Sequence, residues 1–373
     1  MHLSRGLGLC ALAAILSLWG CSPGGDTSRT FDATGAWSGT YAAAGSSGHT
    51  FTAQVVQNGT SLSGTISIPL IGMSGAALSG AVDGDSIQFG DIARTISFSG
   101  TAQADDTASG TYSISYGGAA LSGAWSGTCV RTLFLVKTVS IPGGVGSGVG
   151  LAWDGSRMWV SATQQLAALS ADGALLASYS YNDLQFPYHD FQSLAFDGSS
   201  VWAVEDGEQP PYTQAVLFAL SPSDGSIVSS IPAPPDGTAT NVGGDIGLGL
   251  GWDGSTLWCL RNPQSGTQTI YRIARATGAV QGSIPVPANS YGSAMMVGGF
   301  GAGDGYLWVS DRLGYVECLR PSDGHLLRRF DFSTSAGSGA TPAGIAWDGS
   351  HLWVRDLYAA SLYCFTVPAG VMP

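Results

Sequence analysis

Apolar and polar positions alternate along most of this chain with a period of two, and glycine interrupts the alternation at short intervals. That pattern predicts short antiparallel β-strands joined by tight turns. One version of it recurs five times as a ten-residue frame: GLAWDGSRMW (150–159), SLAFDGSSVW (193–202), GLGWDGSTLW (249–258), GFGAGDGYLW (299–308) and GIAWDGSHLW (344–353). Each frame predicts a hairpin. A short apolar strand meets an Asp-Gly turn, where glycine supplies the positive φ, and a second strand begins at the apolar-Trp pair. The fourth copy departs from the others, with Ala302 for the aromatic and Gly303-Asp304 in reversed order.

The closing tryptophans, Trp159, Trp202, Trp258, Trp308 and Trp353, lie 43, 56, 50 and 45 residues apart. This period suits a four-stranded propeller blade. A third strand and second turn follow as ALSADG (168–173), ALSPSDG (219–225), RIARATG (272–278) and CLRPSDG (318–324), and a fourth strand ends in Ser-Ile-Pro at 230–232 and 283–285. The fifth repeat stops after a third strand, Leu362 to Val367, while LFLVKTVSIP at 133–142 matches the missing fourth strand. The two ends are therefore expected to complete one blade, a velcro closure that removes exposed strand edges. The fold class is all-β: a five-bladed β-propeller over 133–373, preceded by a small antiparallel β-barrel or sandwich over 31–131.

That first domain carries Ser-Gly-Thr or Ser-Gly-Ala triplets at 38–40, 63–65, 79–81, 99–101, 109–111, 122–124 and 126–128, with alternating stretches such as HTFTAQVVQNG between them. It opens on Gly35-Ala36-Trp37 and closes on Trp125-Ser126-Gly127, and it loosely resembles avidin- or lipocalin-type barrels in pattern alone.

At the N-terminus, Arg5 precedes an apolar run from Leu7 to Trp19, too short to span a bilayer comfortably, and the run ends in Leu18-Trp19-Gly20-Cys21. This resembles the lipobox of bacterial lipoproteins, although Trp19 stands where a small residue is usual. The resemblance implies a lipoprotein signal peptide over 1–20, acylation (palmitate) at Cys21, and export to the cell envelope. With Ser22 next, it implies the outer membrane. Residues 21–30 then read as a flexible tether. The membrane partner would be engaged through the N-terminal lipid.

Charge narrows the partners further. Only 11% of residues are charged, net charge is −12, and Lys137 is the single lysine, which argues against nucleic acid. Cys129, Cys259, Cys318 and Cys364 lack CxxC spacing, so no zinc site is expected, and buried thiols are expected in preference to disulfides. The repeated tryptophans are read as packing between blades, and the turn aspartates as turn formers. No cofactor is expected, and the chain is expected to be a monomer.

Strand polarity puts both Asp-Gly turns of every blade on one face. The longer, dissimilar loops at 180–192, 204–214, 233–247, 260–268 and 287–298 fall on the other, where a site is expected. Three residues past each repeat Trp come Ala162, Glu205, Arg261, Asp311 and Asp356, whose charges differ from repeat to repeat. With Asp245, His189 and Tyr212 these charged residues form the candidate binding set; Arg355, Asn262 and Tyr291 lie nearby. They could equally be a solvated rim of weak ion pairs.

The frame and its following turn resemble bacterial glutamine-cyclotransferase-like five-bladed propellers over about 145–370. The resemblance implies a carboxylate near the channel as proton shuttle, a place Glu205 could take. Its surroundings, VWAVEDGEQ, depart from that family's glutamate motif, so the activity is not carried over. The reading is a lipid-anchored protein whose loop face binds a peptide, glycan or protein. The alternative is a carboxylate-dependent cyclase or hydrolase, glutaminyl-cyclase-like or metal lactonase-like.

Overall fold

The computed structural model describes residues 31–42, 48–93, 95–103, 106–143, 145, 148–162, 164–181, 191–205, 215–235, 245–263, 268–287, 297–311 and 313–367. Cys21 and the lipobox lie outside them. No helix among the described residues is long and apolar enough to cross a membrane.

The first eight strands run in sequence as β1 (Gly35–Ala42), β2 (His49–Asn58), β3 (Ser61–Ile68), β4 (Met73–Asp83), β5 (Ser86–Asp91), β6 (Ile96–Ala102), β7 (Thr107–Tyr116) and β8 (Ala119–Thr132). Each pairs antiparallel with the next, and β1 pairs back onto β8, with Trp37 opposite Cys129. The result is a closed barrel, one of the two forms the alternation allowed. The triplets owe their composition to it. In 38–40 and 126–128 the Ser and Thr face outward and the glycine faces in, and a Cβ on Gly39 would stand 2.5 Å from the Phe51 ring. Phe89 and Phe98 stack at 5.0 Å, and Trp125 meets both edge-on at 5.5 Å, so side chains fill the interior.

After β9 (Phe134–Ser140), the repeats form meanders. The first holds β10 (Leu151–Trp153), β11 (Met158–Ala162), β12 (Gln165–Leu169) and β13 (Leu175–Ser180). The second holds β14 (Ser193–Phe196), β15 (Val201–Glu205), β16 (Val216–Leu220) and β17 (Ile227–Pro232). The third holds β18 (Asp245–Trp252), β19 (Leu257–Pro263), β20 (Thr269–Ile273) and β21 (Val280–Pro285). The fourth holds β22 (Val297–Gly303), β23 (Tyr306–Asp311), β24 (Tyr315–Leu319) and β25 (Leu326–Asp331), and a short helix α1 (Phe332–Ala336) follows. The fifth holds β26 (Pro342–Trp347), β27 (Leu352–Asp356) and β28 (Ser361–Thr366), with β9 added to β28 as the fourth strand.

The arrangement is propeller-like. The expectation of five separate blades is corrected: four four-stranded sheets stand alone, and β22–β25 belong to a twelve-stranded sheet with the barrel. The physical reason is a parallel pairing of β25 with β8, Phe330 opposite Arg131 and Asp331 opposite Thr132. Charge reinforces the junction. Buried Arg131 donates from Nε to Asp106 at 3.0 Å, and Arg328 lies 3.5 Å from the same carboxylate. Burial raises the Asp106 carboxyl overall, although the hydrogen bond and charge of Arg131 oppose the rise.

The recurring tryptophans pack between repeats. Trp159 joins Leu194 and Val201 of the second, Trp202 joins Leu248 and Leu257 of the third, and Trp258 joins Phe300 and Leu307 of the fourth. Trp308 joins Ile345 and Leu352, and Trp353 returns to Leu151 and Met158 of the first. In four repeats the turn aspartate accepts a hydrogen bond from the indole: Asp154, Asp197, Asp253 and Asp348 accept from Trp159, Trp202, Trp258 and Trp353 at 2.7–2.9 Å. The fourth repeat differs for a steric reason. Trp347 stacks on Trp308 at 6.2 Å, and a Cβ on Gly303 would fall 2.4 Å from Trp347 Cβ. The aspartate is displaced to Asp304 at φ +55°, and Trp308 Nε1 has no partner among the described residues.

Candidate ligand-binding face

The second strand of each repeat runs from its tryptophan to the loop face; four end on the position that varies in charge, and β19 runs two residues past it to Pro263. Glu205, Arg261, Asp311 and Asp356 are all buried there, as is Ala162. They are not a solvated rim, and most of them hold backbone. Asp311 Oδ1 accepts from the amides of Leu313 at 3.0 Å and Tyr315 at 2.8 Å. Asp356 Oδ1 accepts from Tyr358 and Ala359, both at 2.8 Å, and its Oδ2 from Thr341 at 3.3 Å. Arg261 donates to the carbonyl of Pro234 in the preceding repeat. Arg355 donates to Ser161 O at 2.7 Å, tying the fifth repeat to the first. A carboxylate or guanidinium at a strand end thus fixes the connection that leaves it or the repeat beside it.

Of the other candidates, Asp245 opens β18 opposite Pro263, and its side chain is outside what is described. His189 and Tyr212 lie outside the described residues. No three His, Cys, Asp or Glu side chains gather closely enough to hold a metal among the described residues.

The electrostatics centre on the fourth repeat. Glu317 on β24 and Arg329 on β25 sit opposite each other, buried, 2.6 Å apart. Burial pushes the Glu317 carboxyl up to about 7, against the charge and hydrogen bond of Arg329 and with a further push from Asp311. Its Oε2 has no hydrogen-bond partner among the described residues. Burial also raises Asp311, partly offset by the Tyr315 and Leu313 amides and by Arg329. Burial lowers Arg355 to about 10. The Glu317–Arg329 pair went unseen in the sequence, yet a signal was present. The equivalent cross-strand pairs are Ala167–Ser178, Phe218–Ser230, Tyr271–Ser283 and Tyr363–Thr138, so only the fourth repeat exchanges both members for opposite charges.

The axial channel is narrow. Its space lies toward the turn face, lined by the first strand of every repeat, Trp153, Phe196, Trp252, Ala302 and Trp347 among them. Its volume is about 50 Å³, enough for a few waters and far below a drug-sized site. Toward the loop face the inner strands close together: a Cβ on Gly299 would stand 1.8 Å from Ala343 O, and one on Gly344 1.9 Å from Val149 O.

No family model and no curated protein matches the chain. Solved structures do. The glutaminyl cyclase of Myxococcus xanthus aligns at 16% identity over 64% of this chain and 98% of that one, with a TM-score of 0.48. A catalytically inactive virginiamycin B lyase from Staphylococcus aureus, solved with quinupristin, aligns at 15% identity over 89% and 96%, with a TM-score of 0.36. The Cps50 (Swd1) β-propeller domain of Myceliophteria thermophila aligns at 10% identity over 63% and 100%, with a TM-score of 0.37. These likenesses concern the fold alone.

Proposed function

We propose that this is an exported, lipid-anchored cell-envelope protein whose propeller binds a peptide, glycan or protein partner on its loop face. The observation that carries the reading is the set of buried strand-end charges, Glu205, Arg261, Asp311 and Asp356. Three of them hold the backbone of that face, so side chains of different charge set the connections a partner would meet from repeat to repeat. A partner rests on the face itself, because the channel narrows beneath it. We place β22–β25 as the fifth blade of the ring. Supporting this, β22 lies against β18 and β26, and Trp308 packs on the fifth repeat.

The purified protein, applied to peptide and glycan arrays, should capture a ligand class. Glu205→Gln and Arg261→Met should each weaken that capture at least about tenfold, roughly 1.4 kcal/mol. Capture indifferent to both substitutions would remove the proposed site. Cyclase or hydrolase chemistry through Glu205 remains the alternative. Turnover of glutaminyl peptides or lactones that disappears in Glu205→Gln would replace the binding reading. Labelled palmitate incorporated by the wild type and not by Cys21→Ser would establish the anchor; equal labelling would refute it.

A further inference from the structure

The outermost strands of the repeats carry a second surface, away from the loop face. β13, β17, β21 and β9 each end a four-stranded sheet, so one edge of each is unpaired within the described fold. The exception is β25, which the chain covers with its own β8 in parallel pairing. The five strands share a bulge at the same place, after Leu175, Ile227, Val280, Leu326 and Leu135 are paired with the third strands. The next residue on the covered strand, Leu327, is 5% exposed, and its neighbour Arg328 reaches the barrel's Asp106. The same position on uncovered strands holds Leu176 at 54%, Val228 at 62% and Val136 at 51%, and on β21 the exposed Gln281.

Charge is distributed in the opposite sense to what a free edge needs. Exposed edges in natural sheets are guarded by lysine and other charged residues. Here β13 (LLASYS), β17 (IVSSIP) and β21 (VQGSIP) carry no charge, and proline stands only at the last residue of β17 and of β21. The strand the chain covers itself, β25 (LLRRFD), carries three, and β9 is guarded by Lys137 paired with Asp172. β25 keeps the bulge and is paired beyond it, at Phe330 and Asp331.

We infer that the edges of β13, β17 and β21 accept an added β-strand from an extended, uncharged polypeptide. The strand pairs parallel as β8 does on β25, with an apolar side chain against Leu176 or Val228. Main-chain hydrogen bonds give the affinity, and the exposed aliphatic position gives the preference for an apolar residue.

The test uses the purified protein and an alternating Val-Ser octapeptide, with site-resolved amide hydrogen exchange as readout. The peptide should slow exchange in β13, β17 and β21. Val228→Lys should abolish the protection of β17 while that of β13 persists, with an unchanged melting temperature. The peptide with alternate amides N-methylated should protect at least about tenfold less. The inference is overturned by absent protection, by protection indifferent to Val228→Lys or N-methylation, or by sedimentation showing that these edges pair with a second copy of the chain. Capture on the loop face through Glu205 and Arg261 is independent of these results.

Discussion

Asp253 in the third repeat offers a direct test of how the recurring frame is held together. Its Oδ1 accepts from the amides of Ser255 at 2.9 Å and Thr256 at 2.7 Å, and its Oδ2 accepts from Trp258 Nε1 at 2.8 Å. Asp253→Ala frees two turn amides that water can reach and one indole N–H that it cannot. A hydrogen bond to a charged group contributes about 1.5–3 kcal/mol, and a buried orphaned donor costs about 1–3 kcal/mol. The substitution should therefore destabilise by about 2–4 kcal/mol, roughly 3–5 °C in melting temperature for a protein of this size.

The fourth repeat supplies the control. Trp308 Nε1 already lacks such a partner, and exposed Asp304 sits at φ +55°, which glycine adopts more readily. Asp304→Gly should stay within about 0.5 kcal/mol of wild type. Urea unfolding followed by tryptophan fluorescence measures both. A cost below about 0.5 kcal/mol for Asp253→Ala, or an equal cost for Asp304→Gly, would rule out this role for the turn aspartate. The pH dependence is a second check. Burial alone would raise the Asp253 carboxyl, but hydrogen bonds from Trp258, Thr256 and Ser255 outweigh it and hold the group below its usual range. Its contribution is then present above the unfolded value near about 3.9 and lost as pH falls through the folded value, so the penalty of Asp253→Ala should shrink as pH falls below the unfolded value.

Three further outcomes follow from the packing. Gly303→Ala should destabilise by about 1–3 kcal/mol in thermal unfolding, because the added Cβ meets the Trp347 side chain that stacks on Trp308. Glu317, raised to about 7, favours folding at low pH and loses that contribution as pH rises through the folded value. Wild-type stability should therefore decline between about pH 4 and 7, and Glu317→Gln should flatten that slope in urea titrations at each pH. Cys129, Cys259, Cys318 and Cys364 are buried and in no disulfide, so a thiol reagent should react with them only in denaturant and without reductant.

Much of this fold was legible because strand period and turn chemistry are local. The alternation in HTFTAQVVQNG, the Asp-Gly turns and the five tryptophans each encode a strand, a φ value or a buried ring within a few residues. The displaced strand at 133–142 was legible for a related reason: its match to the other fourth strands left it one vacant place, beside β28. The candidate charges at 205, 261, 311 and 356 could be located by repeat position, but not their state. A charge three residues past a tryptophan reads the same whether it faces solvent or holds an amide, and only the packed strand ends made these residues buried.

What tertiary structure alone decided lies where two repeats, or two domains, meet. The glycine at 39 reads like a turn former until the Phe51 ring is found beneath it. The pairing of β8 with β25, which joins barrel and propeller into one sheet, has no signature in either strand, because backbone hydrogen bonds between distant segments are indifferent to side-chain identity. Period, turns and apolar faces follow from residues a few positions apart. Which edge is covered, which charge is buried and which are left open were decided by contacts between residues far apart in the chain.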